Sequence, residues 1–523
     1  YINLKNVKNK LGMPRRESWF RLWVEDGAGN PRGFDPVFDC LSGDTLVTTN
    51  KGLIRLRDIP EHAKSAVQVG SVTELRGIKA LGHDGKMHSI TAWANKGAKR
   101  TFKITTHHGH SIEATSEHKV RVITHEGKLA RKKVKDLDTK KDYVLVSLKN
   151  QGASKQVVVE NDYQRQVSGR GANQFLNVLP SKVILTEDWA YLLGYLNADG
   201  YTNKAGFRLT TSSKTQVKAL IKKLKAVGIN SRLYSHKSSS SGRACFQIAV
   251  NSKEVKRVLE NFGYHDAKSE GKRVPEGIFK SPANVMRSYL LGAFAGDGTF
   301  GPDFAGYSSI SAKLQQEISL LMWGFGIPNR RGKCHGYSAR TFMEMVGRCE
   351  TKNDTMHSMP TSAGLSKAWE EKLPIPTGRG YNFSVNNLLS DEPEATVEVL
   401  STLDLEEIRE SVVQVMEDGF RFSRIRSIEE TGEREVFDIS VKTAESFVAN
   451  GIVVHNCLQY LTQTGQIGGK RAALRFNIGG REAQKTLSVA DFKYLVLGDR
   501  QTQVDIYKKL GMKPTNLRSG IFK

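Results

Sequence analysis

Short runs that alternate between apolar and polar residues occur near both ends of the chain. Runs of this kind are typical of β-strands, and the first two are joined by a turn at residues 50–52, as in a hairpin. The clearest runs lie at residues 45–49, 52–56, 101–105, 143–146, 436–441 and 446–448. The pattern therefore predicts β-rich structure on both sides of a central region.

The central region has a different pattern, and it occurs twice. A long apolar run at residues 191–200 returns at 289–298, and a Gly-Ile pair at 228–229 returns at 326–327 with the same offset. Two landmarks at one offset indicate a tandem duplication. Each copy predicts an apolar helix, an acidic turn, polar strands and an amphipathic helix, which together make an α+β unit.

Each apolar helix ends in an Asp-Gly pair, with Asp199 in the first copy and Asp297 in the second. The small residues along the two helices are Gly194, Ala198, Gly292 and Gly296. They would let the helices pack closely about a pseudo-twofold axis, so that each helix delivers one carboxylate to the same point. Two adjacent carboxylates are good ligands for a hard divalent cation at a phosphodiester. The alternative is a pair of ordinary core helices.

The length and charge of the chain suggest several domains and a polyanionic partner. A chain of 523 residues is too long for one core and indicates three or more domains. A net charge of +24 favours DNA or RNA as the partner, although a generally basic protein is the alternative. Basic residues of the repeats that could contact phosphates are Lys214, Lys218, Lys222, Lys223, Lys225, Arg330, Arg331 and Lys333. No apolar run is long enough to span a membrane.

The five cysteines form an odd, sparse set without paired zinc spacing. Such a set argues against a disulfide scaffold and for a reducing compartment, which we take to be cytoplasmic. Because the chain begins with Tyr1, we expect it to be a fragment of a longer intracellular product.

Two of the thiols, Cys40 and Cys457, flank a long segment that ends in Asn456. A thiol can take over the acyl group of its own peptide bond, and a second thiol can then capture that acyl group. An Asn side chain can cyclise on its own carbonyl and break the bond that follows it. His455 stands where a proton donor to that bond is needed. The segment between the two thiols could therefore excise itself.

Residues 40–44 and 453–457 resemble the two splice junctions of an intein. Residues 109–118 resemble the second intein motif, whose Thr-x-x-His pair polarises the scissile bond at the first cysteine; here that pair is Thr115 and His118. A lone Thr-x-x-His would mean little, but this one follows a junction-like start.

Residues 436–451 resemble the penultimate intein motif. Asp438 matches the aspartate that is often catalytic in the family. Glu445 stands where the family usually has a histidine that assists Asn cyclisation. We expect Glu445 either to orient His455 or simply to face solvent.

Deleting residues 40–456 also repairs an interrupted pattern. Asp35-Pro36 predicts the start of a helix that Cys40 interrupts. In the joined chain Val37, Leu458 and Leu461 fall at i, i+4 and i+7, on one helix face.

The two Asp-Gly helices resemble the LAGLIDADG motifs of homing endonucleases. The resemblance implies cleavage of double-stranded DNA with Mg²⁺ or a similar cation held by Asp199 and Asp297. It also implies a monomer, because one chain carries both repeats. Lys272, before Arg273-Val274-Pro275, is similar to a catalytic-pocket lysine of that family, and a solvated loop is the equal alternative.

The fold class is therefore mixed. The intein resemblance implies an all-β Hedgehog/intein splicing domain made from both ends of the insert, with an α+β endonuclease of two repeats inserted in it. The predicted divisions are a host segment at 1–39, splicing domain at 40–147, linker or DNA-contacting arm at 148–182, endonuclease at 183–390, acidic connector at 391–419, splicing domain at 420–456 and host segment at 457–523.

The function implied is a self-splicing intein that joins its flanking segments without a cofactor and carries a DNA endonuclease. The joined host segments vaguely resemble a late stretch of RecA-type recombinases. One alternative is an insertion that only binds DNA or no longer reacts. Another is a Hedgehog-like self-cleaving domain, which would lack the Asn456-Cys457 end.

Overall fold

The structure is a computed structural model in which part of the chain is described. The described residues are 40–69, 72–124, 129–149, 152–153, 155–164, 177–237, 244–265, 267–347, 414–415 and 418–456, together with the backbone of strands at 20–24, 31–36, 472–478 and 481–487. Cys457, most of both host segments and most of the acidic connector lie outside these residues.

The first part of the chain is made of strands. They are β1 (Phe20–Val24), β2 (Pro31–Pro36), β3 (Leu41–Ser42), β4 (Leu46–Thr49), β5 (Gly52–Arg55), β6 (Ser65–Val69), β7 (Val72–Arg76), β8 (Lys79–Leu81), β9 (Met87–Thr106), β10 (Ser111–Ala114), β11 (Lys119–Thr124), β12 (Leu129–Lys133) and β13 (Asp142–Ser147). Short 3-10 helices occur at Leu56–His62 and Val134–Asp136.

The middle of the chain alternates helices and strands. Its elements are β14 (Val158–Glu160), β15 (Lys182–Ile184), α1 (Glu187–Asp199), β16 (Gly200–Asn203), β17 (Gly206–Thr211), α2 (Lys214–Ala226), β18 (Arg232–Lys237), β19 (Ala244–Val250), α3 (Lys253–Asn261), α4 (Glu276–Phe279), α5 (Ala283–Asp297), β20 (Gly298–Gly301), β21 (Phe304–Tyr307), α6 (Ala312–Gly324), β22 (Lys333–His335) and α7 (Gly336–Met345). The order of apolar helix, strands and second helix is present in both copies of the repeat.

The last part returns to strands. They are β23 (Phe420–Val441), β24 (Ser446–Ala449), β25 (Ile452–His455), β26 (Ala472–Ile478) and β27 (Arg481–Leu487).

Strands from both ends of the chain form one sheet, which has 14 strands among the described residues. Its main order is β10-β3-β23-β13-β11-β25-β24-β4-β8-β9-β7-β6, with β12 beside β11 and β5 beside β4. The long strands β9 and β23 pair over most of their length. Their common core includes Leu41, Ile104, Phe437 and Val454, which are all buried. The prediction of a mostly β unit is therefore confirmed.

The helices α1 and α5 of the inserted unit pack against each other at two glycines. A Cβ atom at Gly194 would lie 2.1 Å from the backbone oxygen of Tyr289, and one at Gly292 would lie 2.1 Å from that of Tyr191. The two contacts are equivalent by the internal repeat. Close packing between the paired helices therefore requires glycine at both positions.

Each of these helices leads into its own antiparallel sheet. The first sheet has the order β16-β17-β19-β18, and the second has the order β20-β21-β22. The helices α2 and α6 complete the two copies, and their buried residues Leu220 and Ile318 join the same core.

Part of the expected linker at 148–182 is packed structure. Strand β14 pairs with β15, and Val157 and Val159 pack against the core of the inserted unit. The Glu254 carboxylate of α3 accepts hydrogen bonds from Asn161 Nδ2 at 2.8 Å and from the Leu179 backbone at 3.0 Å. These contacts bind residues 157–161 and 179–184 to the insert.

The inserted unit also packs against the β unit through buried charges. The Arg55 guanidinium, 3% exposed, donates to Glu276 Oε1 at 2.5 Å and to Glu317 Oε1 at 3.3 Å. Arg273 donates to the same Glu317 oxygen at 3.2 Å and lies 3.6 Å from Asp44 Oδ2. Burial is tolerated because every charge in this cluster has an opposite partner.

The predicted helix start at Asp35-Pro36 is wrong for the unspliced chain. Residues Pro31–Pro36 form β2, which pairs with β1. The apolar partners Leu458 and Leu461 are separated from Val37 by the whole inserted segment, so the helical face is not continuous.

Among the described residues, no helix combines the length and the apolar character needed to cross a membrane.

We predict that Gly292→Ala destabilises the inserted unit by about 1–3 kcal/mol or more, because its methyl group meets backbone that cannot rotate away. The measurement is the denaturant midpoint of the unit, followed by circular dichroism. The control is Gly301→Ala, whose Cβ would lie 3.4 Å from Phe304 Cβ, an ordinary contact. Equal midpoints for both variants would show that the helices are not held at this distance.

Candidate functional sites

Cys40 lies immediately before β3, at the centre of the large sheet. Strand β3 is short, and Leu41 pairs with Ala114 of β10 on one side and with Phe437 of β23 on the other. The Cys40 side chain is 1% exposed. Two strands distant in sequence therefore fix the position of the first predicted nucleophile.

Thr115 contacts the peptide group of Cys40 directly. The Cys40 backbone N–H donates to Thr115 Oγ1 at 2.9 Å, and the Thr115 N–H donates to the Cys40 carbonyl at 3.0 Å. The Cys40 nitrogen belongs to the bond that the predicted reaction breaks. His118 is fully buried one turn further on, and its N–H donates to the Thr115 carbonyl at 3.1 Å. The structure thus brings Cys40, Thr115 and the backbone of His118 together.

Asp438 lies on β23 next to the residue that pairs with Leu41. Its side chain is 3% exposed, and Oδ1 accepts a hydrogen bond from the Ile439 N–H at 2.8 Å. The register of β23 therefore places this carboxylate beside the first junction.

The second junction is held by a hairpin of β24 and β25. Strand β25 also pairs with β11 through Val120 and Val454. Asn456 is 4% exposed, and its N–H donates to the Glu445 carbonyl at 3.0 Å. The Glu445 carboxylate lies 4.0 Å from His455 Nε2.

Glu445 faces His455 rather than solvent. Its side chain is 21% exposed, and its backbone has a φ of 54°, which turns the chain into β24. A carboxylate at this distance can orient an imidazole ring and stabilise its protonated form. This was one of the two expectations for Glu445.

A histidine that sequence reasoning missed also lies near the second junction. His83 Nδ1 lies 2.8 Å from Ser446 Oγ, and the His83 N–H donates to the same oxygen at 3.1 Å. Ser446 pairs with His455 across the hairpin. Burial, together with the nearby positive charge of Arg121, lowers the pKa of His83 to about 4. No motif in the sequence distinguishes this residue.

The tight turn of the same hairpin, Asn450-Gly451, contacts both units. Asn450 Oδ1 accepts from the Leu46 N–H at 2.8 Å, and its Nδ2 donates to the Ser111 carbonyl at 2.9 Å. The His110 ring packs against Gly451 and makes an edge contact with Trp323 of α6, with ring centres 4.8 Å apart. Burial lowers the pKa of His110 to about 3, so the ring is neutral near pH 7.

The two predicted acids lie together at the ends of α1 and α5. A Cβ at Gly296, next to Asp297, would lie 3.4 Å from Asp199 Oδ2. Burial lowers the pKa of the Lys272 ammonium, whereas the Asp297 and Asp199 carboxylates raise it. The structure therefore brings Asp199, Asp297 and Lys272 to one place.

Lys272 also has a structural contact there. Its Nζ donates to the carbonyls of Asn197 at 2.8 Å and of Gly200 at 3.1 Å, at the end of α1. Asn197 Nδ2 donates to Tyr289 Oη at 2.8 Å, so this residue links the helices. The solvated-loop alternative for Lys272 is therefore wrong.

The chemistry of this acidic site suits an oxygen-liganded cation. Among the described residues, no cluster of three or more His, Cys, Asp or Glu side chains could hold a metal ion. Two carboxylates fit Mg²⁺, which commonly binds one or two carboxylates and takes its other ligands from water and phosphate oxygens.

A family model described as "Intein splicing domain" matches residues 49–456. The tRNA-splicing ligase RtcB of Pyrococcus abyssi is 25% identical over 488 residues, which cover 84% of this chain and 50% of that protein. The chain thus spans about half the length of that relative. A DNA gyrase polypeptide of Mycobacterium gordonae is 21% identical over 493 residues, covering 84% of this chain and 82% of that protein. The solution NMR structure of the Pab PolII intein has a TM-score of 0.20 and 21% identity, covering 28% of this chain and 82% of that chain.

Proposed function

The chain belongs to the intein splicing domain family, and from this premise we propose that residues 40–456 excise themselves and join residues 1–39 to residues 457–523. One observation carries the proposal: the nitrogen of the bond to be broken, Cys40 N, donates to Thr115 Oγ1 at 2.9 Å. A buried hydroxyl at this atom can assist departure of the nitrogen as the bond breaks.

In the first step the Cys40 sulfur attacks the carbonyl carbon of Asp39. A C–S bond forms, the C–N bond breaks, and the thiol proton ends on the Cys40 nitrogen. Thr115 contacts that nitrogen, and Asp438 is placed to take and return the proton. His118 is buried beside Thr115 and is proposed to support the same step.

In the second step the Cys457 thiol captures the acyl group as a new thioester. The Asn456 side-chain nitrogen then attacks its own backbone carbonyl and breaks the bond to Cys457. His455 is proposed to donate the proton that the departing nitrogen needs, with Glu445 orienting its ring. The freed amine of Cys457 attacks the thioester, and an amide joins the flanking segments.

For the inserted unit we propose double-strand DNA cleavage. Asp199 and Asp297 would hold a Mg²⁺ or similar ion, which when bound stabilises negative charge at the phosphate and activates water. The Lys272 ammonium beside the two carboxylates is proposed to hold the cleaved phosphate. Both repeats lie in one chain, so a monomer suffices.

The outer surface of the insert supports a DNA partner. Exposed lysines on α2 are Lys214, Lys218, Lys222 and Lys225. Large apolar side chains, which include Tyr201, Leu233 and Tyr234, are about half exposed on the sheet of β16 to β19. Lysines set affinity for phosphates, while sheet side chains can reach base edges.

We keep two further proposals from the sequence. The host is proposed to be a RecA-type recombinase, on the resemblance of the joined segments. The compartment is proposed to be cytoplasmic, because Cys40 and Cys457 must remain reduced thiols to react.

We predict that the expressed chain yields an excised piece of residues 40–456 and a joined product, both identified by mass spectrometry. Thr115→Val, which keeps the side-chain shape, should slow the first step about 100-fold, as loss of one activating hydrogen bond does. Thr202→Val in the inserted unit is the matched control and should splice normally. A joined product from Cys40→Ala would contradict the proposed first step.

We predict that Asp199→Asn and Asp297→Asn each abolish DNA cleavage while splicing continues, because the junctions lie in the other unit. Cleavage of a library of plasmid targets with and without Mg²⁺ measures the first effect, and mass spectrometry measures the second. Asp188→Asn, which removes a surface partner of Lys223, is the control and should still cut. Unchanged cutting by the two variants would leave the insert as a DNA-binding module.

We predict that Glu445 tunes the final step. In a Cys40→Ala parent only cleavage after Asn456 remains, so its rate can be followed against pH. Glu445→Gln should slow it about 10-fold, because the imidazolium loses its carboxylate partner. Glu445→His should speed cleavage or shift its pH optimum, and Glu429→Gln on the exposed face of β23 is the control. Superimposable pH profiles would return Glu445 to a purely structural role.

A further inference from the structure

The sheet face that carries Cys40 and Asp438 also carries a lysine that no motif includes. Strand β23 lies between β3 and β9, and Phe437 pairs with Leu41 on one side and with Asn95 on the other. Ala94 pairs with Asp438. Because β3 and β23 are antiparallel, the next step of their register sets Cys40 opposite Asp438 as well.

The two faces of this part of the sheet are distinct. Trp93 and Phe437 lie on the core face, with ring centres 5.4 Å apart. Side chains alternate along a strand, so Cys40, Ala94 and Asp438 share the other face.

Lys96 follows Ala94 by two residues and therefore projects from the same face. Diagonal neighbours on an antiparallel sheet lie within reach of a long side chain. Ala94 carries only a methyl group, which leaves room for the lysine to extend past it toward Asp438. Gly97, with a φ of 69°, begins a bulge directly after Lys96, and bulges often re-aim side chains beside active sites.

The charge on Lys96 interacts with both residues of the first step. The side chain is half-buried. Burial lowers the pKa of its ammonium, and the Asp438 carboxylate and the Cys40 thiol group raise it. An ammonium in this position favours any negative charge that forms on the Cys40 sulfur.

We propose that Lys96 is a positioning residue for thioester formation, which holds the Asp438 carboxylate beside Cys40 and stabilises the charge on sulfur during attack. The inference rests on the proposed splicing function. Asp438 takes the thiol proton as the C–S bond forms and returns it to the Cys40 nitrogen as the C–N bond breaks. The lysine keeps its proton throughout, so the step balances without another reagent.

The test isolates the first step in the full chain. Asn456→Ala with Cys457→Ala leaves only thioester formation, and added dithiothreitol releases residues 1–39 at a rate that mass spectrometry follows. Lys96→Met keeps length and removes charge, and we expect it to slow release about 10-fold to 100-fold. Lys96→Arg should restore most of the rate. Lys79→Met, an exposed lysine of β8, should match the parent.

A second background separates chemistry from folding. In the Cys40→Ala chain, cleavage after Asn456 should proceed at the same rate with Lys96→Met as without it. An unchanged thiol-induced release would overturn the proposal, and so would equal slowing in both backgrounds, which would show damage to the fold. If the parent with Lys96 intact releases no fragment at all, the proposed splicing function itself fails.

Discussion

The structure depends on the antiparallel pairing of strands from opposite ends of the excised segment. Leu41 pairs with Phe437 near the first junction, and Val120 pairs with Val454 near the second. Backbone hydrogen bonds are directional, so these ladders fix Cys40 and Asn456 in a single sheet. Each junction is buried where its strand ends, and the side chains that act on it come from neighbouring strands. Splicing chemistry therefore follows from closing the sheet.

The inserted unit shares this burial rather than hanging from it. Arg55 of the β unit and Glu317 of the insert are almost completely buried and form a salt bridge, and Trp323 of α6 belongs to the core of the β unit. Removing one partner of a buried pair leaves an uncompensated charge and commonly costs about 3–5 kcal/mol. The two activities can be separate in chemistry while the two units remain coupled in stability.

A similar balance of charge explains the acidic site. Asp199 and Asp297 are like charges at the ends of two helices that approach to glycine-contact distance. The Lys272 ammonium lies near both carboxylates and also donates to the carbonyls that end α1. One lysine therefore reduces the repulsion that close packing imposes and satisfies the helix end.

The sequence by itself determined the local features: the β-type alternation at both ends, the internal repeat with Asp199 and Asp297, and the reactive residues at the two junctions. These depend on neighbouring residues, which periodicity and motif spacing report. Only the tertiary structure decided that residues 158–160 form a strand with 182–184, that Asp35-Pro36 ends a strand, that Glu445 lies 4.0 Å from His455, and that Lys96 shares a face with Asp438. Those outcomes come from pairings between residues far apart in the chain, and the register of such pairings is set by the packed sheet rather than by any local pattern.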